Sequence, residues 1–249
     1  ISACLVGSEM CIRDSNDTFR LICEKHPYIL QRMNTDIFQD PVSLMRNIEG
    51  VTTFLRQEVM KNNGDPDRET LNLIRTREGA PYYVDSRGNY WRMYLFIEGA
   101  TCYNLVEKPE DFYQSGKAFG HFQRLLAHYP ARELAETIPG FHDTPGRFRA
   151  FSKAVEEDIC GRASEVQNEI QFVMDREQDM GLAMDMLAKG ELPLRVTHND
   201  TKLNNIMIDD KTGQAICIID LDTVMPGLSI FDFGDSIRLS LIHISEPTR

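Results

Sequence analysis

The loop from His198 to Asn205, with the sequence HNDTKLNN, concentrates residue types that can do chemistry. Transfer of the γ-phosphoryl group of ATP to a hydroxyl needs a carboxylate that orients the hydroxyl and accepts its proton, and oxygen ligands that hold Mg²⁺ against the phosphates. Asp200 has the place of the base, Lys202 supplies positive charge for the transferring phosphate, and Asn205 offers an amide oxygen to the metal. Fifteen residues further on, an apolar strand ends at Asp220, a second oxygen ligand.

The alternative interpretation of these residues is structural. In it, His198 and Asp200 cap a turn, and Asp220 and Asp222 form the solvated end of a strand. The combination favours chemistry, because His-x-Asp-x-x-x-x-Asn and Ile-Asp-x-Asp are joined across a predicted β hairpin that brings the three ligand-type residues together. His198 itself is predicted to be a partly buried structural residue that braces the loop rather than a base.

A second acidic motif, Phe231-Asp232-Phe233-Gly234-Asp235, looks like the metal-binding Asp-Phe-Gly of protein kinases. Its position argues against that role, since Asp232 follows a loop, whereas Asp220 ends the hairpin strand. We therefore interpret Asp232 as an acid at a helix start that supports the catalytic loop, and Asp220 as the metal ligand.

The elements that must position these residues change character near residue 100. Before it, short runs rich in aromatic and branched residues predict strands at Tyr28–Met33, Tyr82–Asp85 and Tyr90–Ile97. Residues 85–89, DSRGN, predict a hairpin turn between the last two strands. From Val42 to Met60, apolar residues recur at spacings of three and four, which predicts one helix with a buried face.

After Gly99 the pattern is mainly helical, beginning at Pro109, where proline and the acids that follow it favour a helix start. Phe112, Phe119, Phe122 and Leu126 then line one face, which is typical of a core. Further helices are predicted at 148–159, 163–174 and 180–188. From Leu194 the strand LRVTH, the polar loop, the strand IMID, the turn KTG and the strand AICIID follow one another.

Composition excludes several classes of function. The net charge is −11, without a clustered Lys/Arg run, so nucleic acid binding is not expected. No stretch approaches the roughly 20 apolar residues of a membrane span, and the first residues lack the basic-then-apolar order of a signal peptide. Outside the first 15 residues the cysteines lie far apart, as expected for reduced thiols of a cytoplasmic protein. They are Cys23, Cys102, Cys160 and Cys217.

The two ends of the chain are related through the DNA sequence that could encode them. Leu5 to Ser15 can be encoded by an oligonucleotide whose reverse complement, plus one base, encodes Leu239 to Arg249. That oligonucleotide resembles a transposase-type sequencing adapter. We expect residues 1–15 and 239–249 to be tails that selection for folding did not shape, and the natural sequence to be truncated at both ends. The alternative is a native N-terminal coil and a native C-terminal strand.

Taken together, the loop and hairpin signature resembles that of the aminoglycoside phosphotransferase and choline kinase family, a relative of the protein kinases. The resemblance implies an α+β, protein-kinase-like fold with two lobes: a small strand-rich nucleotide-binding lobe over 16–99 and a larger, mostly helical catalytic lobe over 100–238 that carries the hairpin. It also implies that ATP and Mg²⁺ are the cofactors, and that His198, Asp222 and Asp232 support the site.

In this family a cation on a strand of the first lobe touches the α- and β-phosphates, and an acid on the next helix holds it. By resemblance Arg32, in YILQRMN, and Glu49 have these positions, although Glu58 lies on the same helix. The segment from Phe96 through Ile97 to Glu98 resembles the hinge whose backbone meets the adenine. A glycine-rich phosphate loop is missing, and residues 16–19 resemble its trailing edge, so the chain as it stands is expected to be impaired or inactive.

Several passages look specifically like the N-acetylhexosamine 1-kinases. They are YILQRMN, FHDTPGRF, LRVTHNDTKLNNIMID and IIDLDTVMPG followed by FDFGDSIR. This likeness implies that Asp200 orients the 1-hydroxyl of N-acetylglucosamine or N-acetylgalactosamine. Two alternatives stay open: a kinase for another small hydroxylated substrate such as choline, homoserine or an aminoglycoside, and an inactive, pseudokinase-like nucleotide-binding or scaffolding protein. The exact sugar and the oligomeric state do not follow from the sequence.

Overall fold

The computed structural model describes residues 5–12, 16–103 and 109–245, and its α+β class is the one predicted. The strands are β1 (Leu5–Ile12), β2 (Asp17–Cys23), β3 (Tyr28–Arg32), β4 (Leu73–Ile74), β5 (Tyr83–Val84), β6 (Tyr90–Leu95), β7 (Ala100–Thr101), β8 (Arg195–Thr197), β9 (Ile206–Asp209), β10 (Ala215–Ile218) and β11 (Met225–Gly227). The helices are α1 (Pro41–Lys61), α2 (Pro66–Glu69), α3 (Pro109–Leu125), α4 (Thr144–Glu157), α5 (Gln167–Met174), α6 (Leu182–Ala188) and α7 (Ser229–Ser245).

An antiparallel sheet forms the first part of the chain. Its strand order is β1-β2-β3-β6-β4, and β5 pairs with β6 as a separate branch. In the turn between β5 and β6, the Asp85 carboxylate accepts hydrogen bonds from the backbone N–H groups of Arg87 and Asn89 and from the indole of Trp91. Side-chain hydrogen bonds from Asn89 and Trp91 lower the pKa of Asp85 below its usual value. The predicted hairpin turn is therefore present and fixes the register of β6.

Helix α1 packs one apolar face into the core, as its spacing predicts. Leu44, Ile48 and Val51 are fully buried. The helix begins where Asp40 caps it, since the Asp40 carboxylate accepts a hydrogen bond from Ser43 N at 3.0 Å and proline occupies the first turn. Each buried side chain of this size contributes about 1.5–3 kcal/mol through the apolar surface it removes from water.

Asn47 on α1 ties the helix to two other segments. Its amide donates to Ala135 O at 2.8 Å and Val224 O at 3.1 Å, and its carbonyl oxygen accepts from Ala135 N at 2.9 Å. We expect Asn47→Ala to lower the free energy of unfolding by about 1–3 kcal/mol, because it leaves buried backbone groups without partners. Urea denaturation measures this, with the exposed Gln57→Ala on the same helix as control. Equal stability of the two variants would contradict it.

The polar loop and the hairpin follow the predicted order. Strand β8 pairs antiparallel with β11, and β9 pairs with β10 on one side and β7 on the other. The turn between β9 and β10 forms because Asp209 Oδ1 accepts hydrogen bonds from Lys211 N and Thr212 N, and Gly213 adopts a positive φ of 67°. Of the predicted core face, Phe119 and Phe122 of α3 and Leu126 directly after it are buried, and Phe112 is half-buried.

The chain separates into two compact units, Ile1–Thr137 together with Arg195–Arg249, and Ile138–Leu194. The second unit contains α4, α5 and α6. Helix α4 is capped at its N-terminus by Asp143, which accepts from Gly146 N at 2.8 Å, and at its C-terminus by Asp158. The predicted single helix over 163–174 instead begins with a 3-10 turn, Ala163–Val166, before α5.

The predicted lobe boundary at residue 99/100 stays a prediction. Strand β1 and the last residues of α7 fall on the tails that we attribute to an adapter, and that origin also stays a prediction. Among the helices of the described ranges, none is long and apolar enough to cross a membrane.

Candidate active site

One buried carboxylate accepts hydrogen bonds from the backbone at the start of the catalytic loop. Asp232, in the first turn of α7, accepts hydrogen bonds from His198 N at 2.9 Å and Asn199 N at 2.8 Å, and also from the Gln123 amide. An acid near a helix N-terminus is favourable because it faces the positive end of the helix dipole. These contacts are the ones that a supporting role for Asp232 requires. Asn199 adopts φ 67°, which turns the chain toward Asp200.

His198 is completely buried and has structural contacts. Its Nε2 lies 3.0 Å from Ile219 O, and because a carbonyl can only accept, Nε2 carries the proton. The rings of Phe119 and Phe122 meet the imidazole edge-on, at centroid distances of 5.3 and 5.8 Å. Its Nδ1 has no hydrogen-bond partner among the described residues. The histidine, which was predicted to be partly buried and is completely buried, thus connects the catalytic loop to the end of β10. Its supporting role stays a prediction.

Asp200 is the partly exposed carboxylate of the loop, with 26% of its side-chain surface accessible. Its Oδ2 lies 2.9 Å from Lys202 Nζ and accepts from Asn205 Nδ2 at 3.0 Å. Asn205 Nδ2 also donates to Asp200 O at 2.9 Å. Within the described part of the chain, Asp200 Oδ1 accepts no hydrogen bond. One carboxylate oxygen is thus fixed while the other is available to a substrate hydroxyl.

Asp220 lies at the end of the hairpin, where the backbone turns through a left-handed conformation with φ 61°. Such a conformation costs on the order of 1 kcal/mol for a residue other than glycine. No hydrogen bond or ion pair to its carboxylate is formed within the described residues. Burial, and next the nearby Asp222 carboxylate, raise the pKa of Asp220, while Arg92 opposes them. A cation beside Asp220 would favour its ionised form.

The donor set suits Mg²⁺. Ile219 N donates to Asn205 O at 2.9 Å, which ties the end of β10 to the residue that offers the second oxygen ligand. With Asn205 Nδ2 directed to Asp200, its Oδ1 remains without a hydrogen bond among the described residues. Mg²⁺ is commonly held by one or two protein oxygens together with phosphates and water. The described residues contain no cluster of three or more His, Cys, Asp or Glu side chains that could hold a metal ion.

A cavity of about 460 Å³ lies beside these residues and has the size of a small-molecule site. Phe96 and Ile97 of the predicted hinge line it, whereas Glu98 is exposed and its carbonyl accepts from Arg68 Nη1 at 2.5 Å. The other lining residues come from the sheet and the hairpin. They are Thr18, Arg20, Ile29, Gln31, Leu71, Tyr94, Leu95, Ala100, Thr101, Cys102, Met207 and Ile219. Ile219 is the chain neighbour of Asp220, whereas Asp200, Lys202, Asn205 and Asp220 themselves line neither this cavity nor a larger one of about 550 Å³.

The predicted pair of Arg32 and Glu49 is not formed. Arg32, with 46% of its side chain exposed, bonds Asp17 through Nε at 2.6 Å, and Glu49 pairs with Arg75. Because side chains alternate along a strand, Gln31 shares the cavity face of β3 with Ile29, and Arg32 points to the other face. The structure therefore corrects this expectation: Arg32 does not join Asp200 and Asp220. Glu58, the alternative acid, binds Lys61 at 2.6 Å.

The buried cation of the region is one that sequence reasoning missed. Arg92 on β6 forms a bidentate ion pair with Asp222, with Nη2 at 2.9 Å from Oδ2, and donates through Nε to Gln31 Oε1 at 2.9 Å. Asn16 Nδ2 donates to the same Asp222 carboxylate at 2.6 Å. Burial lowers the pKa of Arg92, but the charge and hydrogen bond of Asp222, together with the charges of Tyr94 and Asp220, raise it above its usual value. The available signal was a charged residue inside the apolar strand YWRMYLFI.

An antiparallel sheet with a packed helix, followed by a loop and hairpin that carry Asp200, Asn205 and Asp220, defines a protein-kinase-like phosphotransferase fold. The chain belongs to the phosphotransferase enzyme family (APH), which it matches over residues 14–247. Membership in this family makes the chain a phosphotransferase by class, the kind of enzyme that was predicted.

Three solved structures illustrate the fold. An aminoglycoside phosphotransferase from Alicyclobacillus acidocaldarius has a TM-score of 0.63 at 13% identity, over 94% of this chain and 67% of its own. A microcompartment-associated aminopropanol kinase has a TM-score of 0.57 at 16% identity, over 95% and 69%. The spectinomycin phosphotransferase APH(9)-Ia, solved with ADP and spectinomycin, has a TM-score of 0.54 at 14% identity, over 98% and 76%. At these identities the likeness concerns the fold.

Proposed function

We propose that this protein transfers the γ-phosphoryl group of ATP to the anomeric hydroxyl of an N-acetylhexosamine, with Mg²⁺, giving the sugar 1-phosphate and ADP. The observation that carries the phosphotransfer is the convergence of the loop and the hairpin, where Asp200 Oδ1, Asn205 Oδ1 and the Asp220 carboxylate are all left without protein partners among the described residues. A similar fold solved with ADP supports a purine nucleotide as the donor.

In the proposed mechanism, Asp200 accepts a hydrogen bond from the acceptor hydroxyl and takes its proton as the new O–P bond forms and the bond to ADP breaks. Without nucleotide, Lys202 pairs with Asp200. Because 43% of the Lys202 side chain is exposed, it can turn toward the transferring phosphate when nucleotide is present. Asn205 and Asp220 would hold Mg²⁺, which when bound neutralises charge on the β- and γ-phosphates. Phe96 and Ile97 would receive the adenine, with Ile97 N free to donate within the described residues.

The proposed acceptor rests on the resemblance of sequence passages to the hexosamine 1-kinases. The passages LRVTHNDTKLNNIMID and IIDLDTVMPG surround the base and the metal ligand, and both look like hexosamine 1-kinases. The solved relatives act on acceptors as different as aminopropanol and spectinomycin, so the fold leaves the acceptor open. The alternatives are choline, homoserine and aminoglycosides.

An acceptor panel tests the proposal. Purified protein is incubated with Mg²⁺ and ATP plus N-acetylglucosamine, N-acetylgalactosamine, choline, homoserine or kanamycin, and ADP release is measured. We expect a hexosamine to give the highest rate, and ³¹P NMR to show a phosphate on the anomeric carbon. The matched control is the methyl glycoside of the same sugar, whose blocked 1-hydroxyl should abolish turnover.

The results of the acceptor panel distinguish the alternatives for the acceptor, the reacting hydroxyl and the activity. Phosphorylation of choline without hexosamine would overturn the acceptor and keep the mechanism. Turnover of the methyl glycoside at the same rate would move the reaction to another hydroxyl. No ADP release with any acceptor, from protein that still binds nucleotide, would favour the pseudokinase alternative.

A further inference from the structure

The guanidinium of Arg92 and the carboxylate of Asp222 form an ion pair that is almost fully buried, with 2% and 3% of the side chains exposed. Three donors of Arg92 are engaged: both terminal nitrogens bond Asp222, and Nε bonds Gln31 Oε1. Arg92 and Gln31 lie on adjacent strands of the antiparallel sheet, where they are directly paired. Burying two charges is expensive, and in some proteins buried ion pairs specify a geometry that a hydrophobic contact would not.

What the pair fixes is the segment that carries Asp220. Asp222 lies two residues beyond it, in the 3-10 turn Leu221–Thr223. At the other end of this turn, Thr223 Oγ1 donates to His198 O at 2.6 Å and Thr223 O accepts from Asn199 Nδ2 at 2.7 Å. The turn is thus fastened to the catalytic loop through Thr223 and to the sheet through Asp222.

In protein kinases the sheet is linked to the site by a lysine on a strand that pairs with a glutamate of the first long helix. Here the corresponding acid, Glu49, pairs with Arg75, and the cavity face of β3 presents the neutral Gln31. The cation lies one strand further along and bonds the metal-ligand segment directly. The sheet and Asp220 are therefore connected without the helix.

We propose that Arg92 is a positioning residue for metal binding: through Asp222, and with Gln31, it holds Asp220 where it can share a metal ion with Asn205. This rests on the proposed function only for the metal-nucleotide site, not for the acceptor. The alternative is that the pair stabilises the core and has no effect on the metal.

The test measures metal binding without turnover. The affinity for ADP is determined by calorimetry with Mn²⁺ and in EDTA, and their ratio gives the contribution of the metal. Arg92→Lys keeps the charge but cannot form the bidentate pair. We expect the ratio to fall about tenfold, a loss that one misplaced ligand can produce. The matched control is Arg75→Lys, which alters an ion pair elsewhere on the sheet and should change the ratio less than about twofold.

A second variant avoids the risk that Arg92→Lys fails to fold. Gln31→Glu is nearly isosteric and gives Arg92 a competing carboxylate, which we expect to draw it from Asp222 and lower the ratio about threefold. A purely structural pair predicts the opposite sign, because a new negative charge near Asp220 would attract Mn²⁺. An unchanged or increased ratio in folded Gln31→Glu, or an unchanged ratio in folded Arg92→Lys, would overturn the proposal. Absence of hexosamine turnover would leave these results unaffected.

Discussion

Turnover of Asp200→Ala is expected to fall by roughly 10²–10⁴-fold, the usual contribution of a general base, while the affinity for ADP changes little. The reason is geometric. Asp200 Oδ2 is held by Lys202 and Asn205, and Oδ1 is the group left for the acceptor hydroxyl. Alanine removes both the proton acceptor and the group that orients the hydroxyl. The measurement is steady-state ADP release with hexosamine, combined with nucleotide binding by calorimetry.

Asp200→Asn separates orientation from proton acceptance, because the amide retains one acceptor oxygen but cannot take the proton. We expect it to lose nearly as much turnover as the alanine variant. Glu24→Gln, which changes an exposed carboxylate directly after β2, serves as control and should retain full turnover. Unchanged turnover in both Asp200 variants would reject the mechanism.

Loss of Asp232, the buried acid that accepts hydrogen bonds from the catalytic loop, should have the largest effect on stability. Asp232→Ala removes the acceptor for His198 N and Asn199 N. A buried donor without a partner costs about 1–3 kcal/mol, so two cost about 2–6 kcal/mol of unfolding free energy. Urea denaturation gives this value, and the exposed Asp36→Ala, expected to lie within about 0.5 kcal/mol of the parent, is the control.

A second variant separates the two interpretations of Asp232, as a support for the catalytic loop or as a metal ligand. Asp232→Asn keeps an acceptor for one of the two backbone donors and removes the charge, so a supporting residue should lose part of the stability while the Mg²⁺ requirement of the remaining activity stays the same. A metal ligand would show the reverse, with a higher Mg²⁺ requirement and little loss of stability. That second result would move the metal site from Asp220 to the Asp-Phe-Gly segment.

Much of the fold follows from local patterns. Helix α1 was expected over 42–60 and occupies Pro41–Lys61, because both its apolar period and its capping residues are local. The catalytic hairpin was likewise predicted from two apolar strands and a turn containing Gly213. The 3-10 turn at Ala163–Val166 was not predicted. Its residues are mostly exposed, and no apolar pattern distinguishes a 3-10 turn from a regular helix there.

The site was predictable where its residues are close in sequence. Asp200, Asn205 and Asp220 lie on one loop and one hairpin, so a short pattern brings them together. The position of the cation was not predictable. Arg32 and Gln31 are neighbours, and only the alternation of side chains along β3 decides which one faces the cavity. Arg92 finds its partner Asp222 130 residues away. Such a pairing depends on the packed sheet, which no local motif specifies.

A crystal structure of the protein with Mg²⁺ and a non-hydrolysable ATP analogue would test the proposed phosphotransfer site itself. We predict one metal ion bound by Asn205 Oδ1 and the Asp220 carboxylate and by the phosphates, with the purine against Phe96 and Ile97 and the γ-phosphate facing Asp200. A metal ion on other side chains, or a nucleotide outside the 460 Å³ cavity, would contradict it.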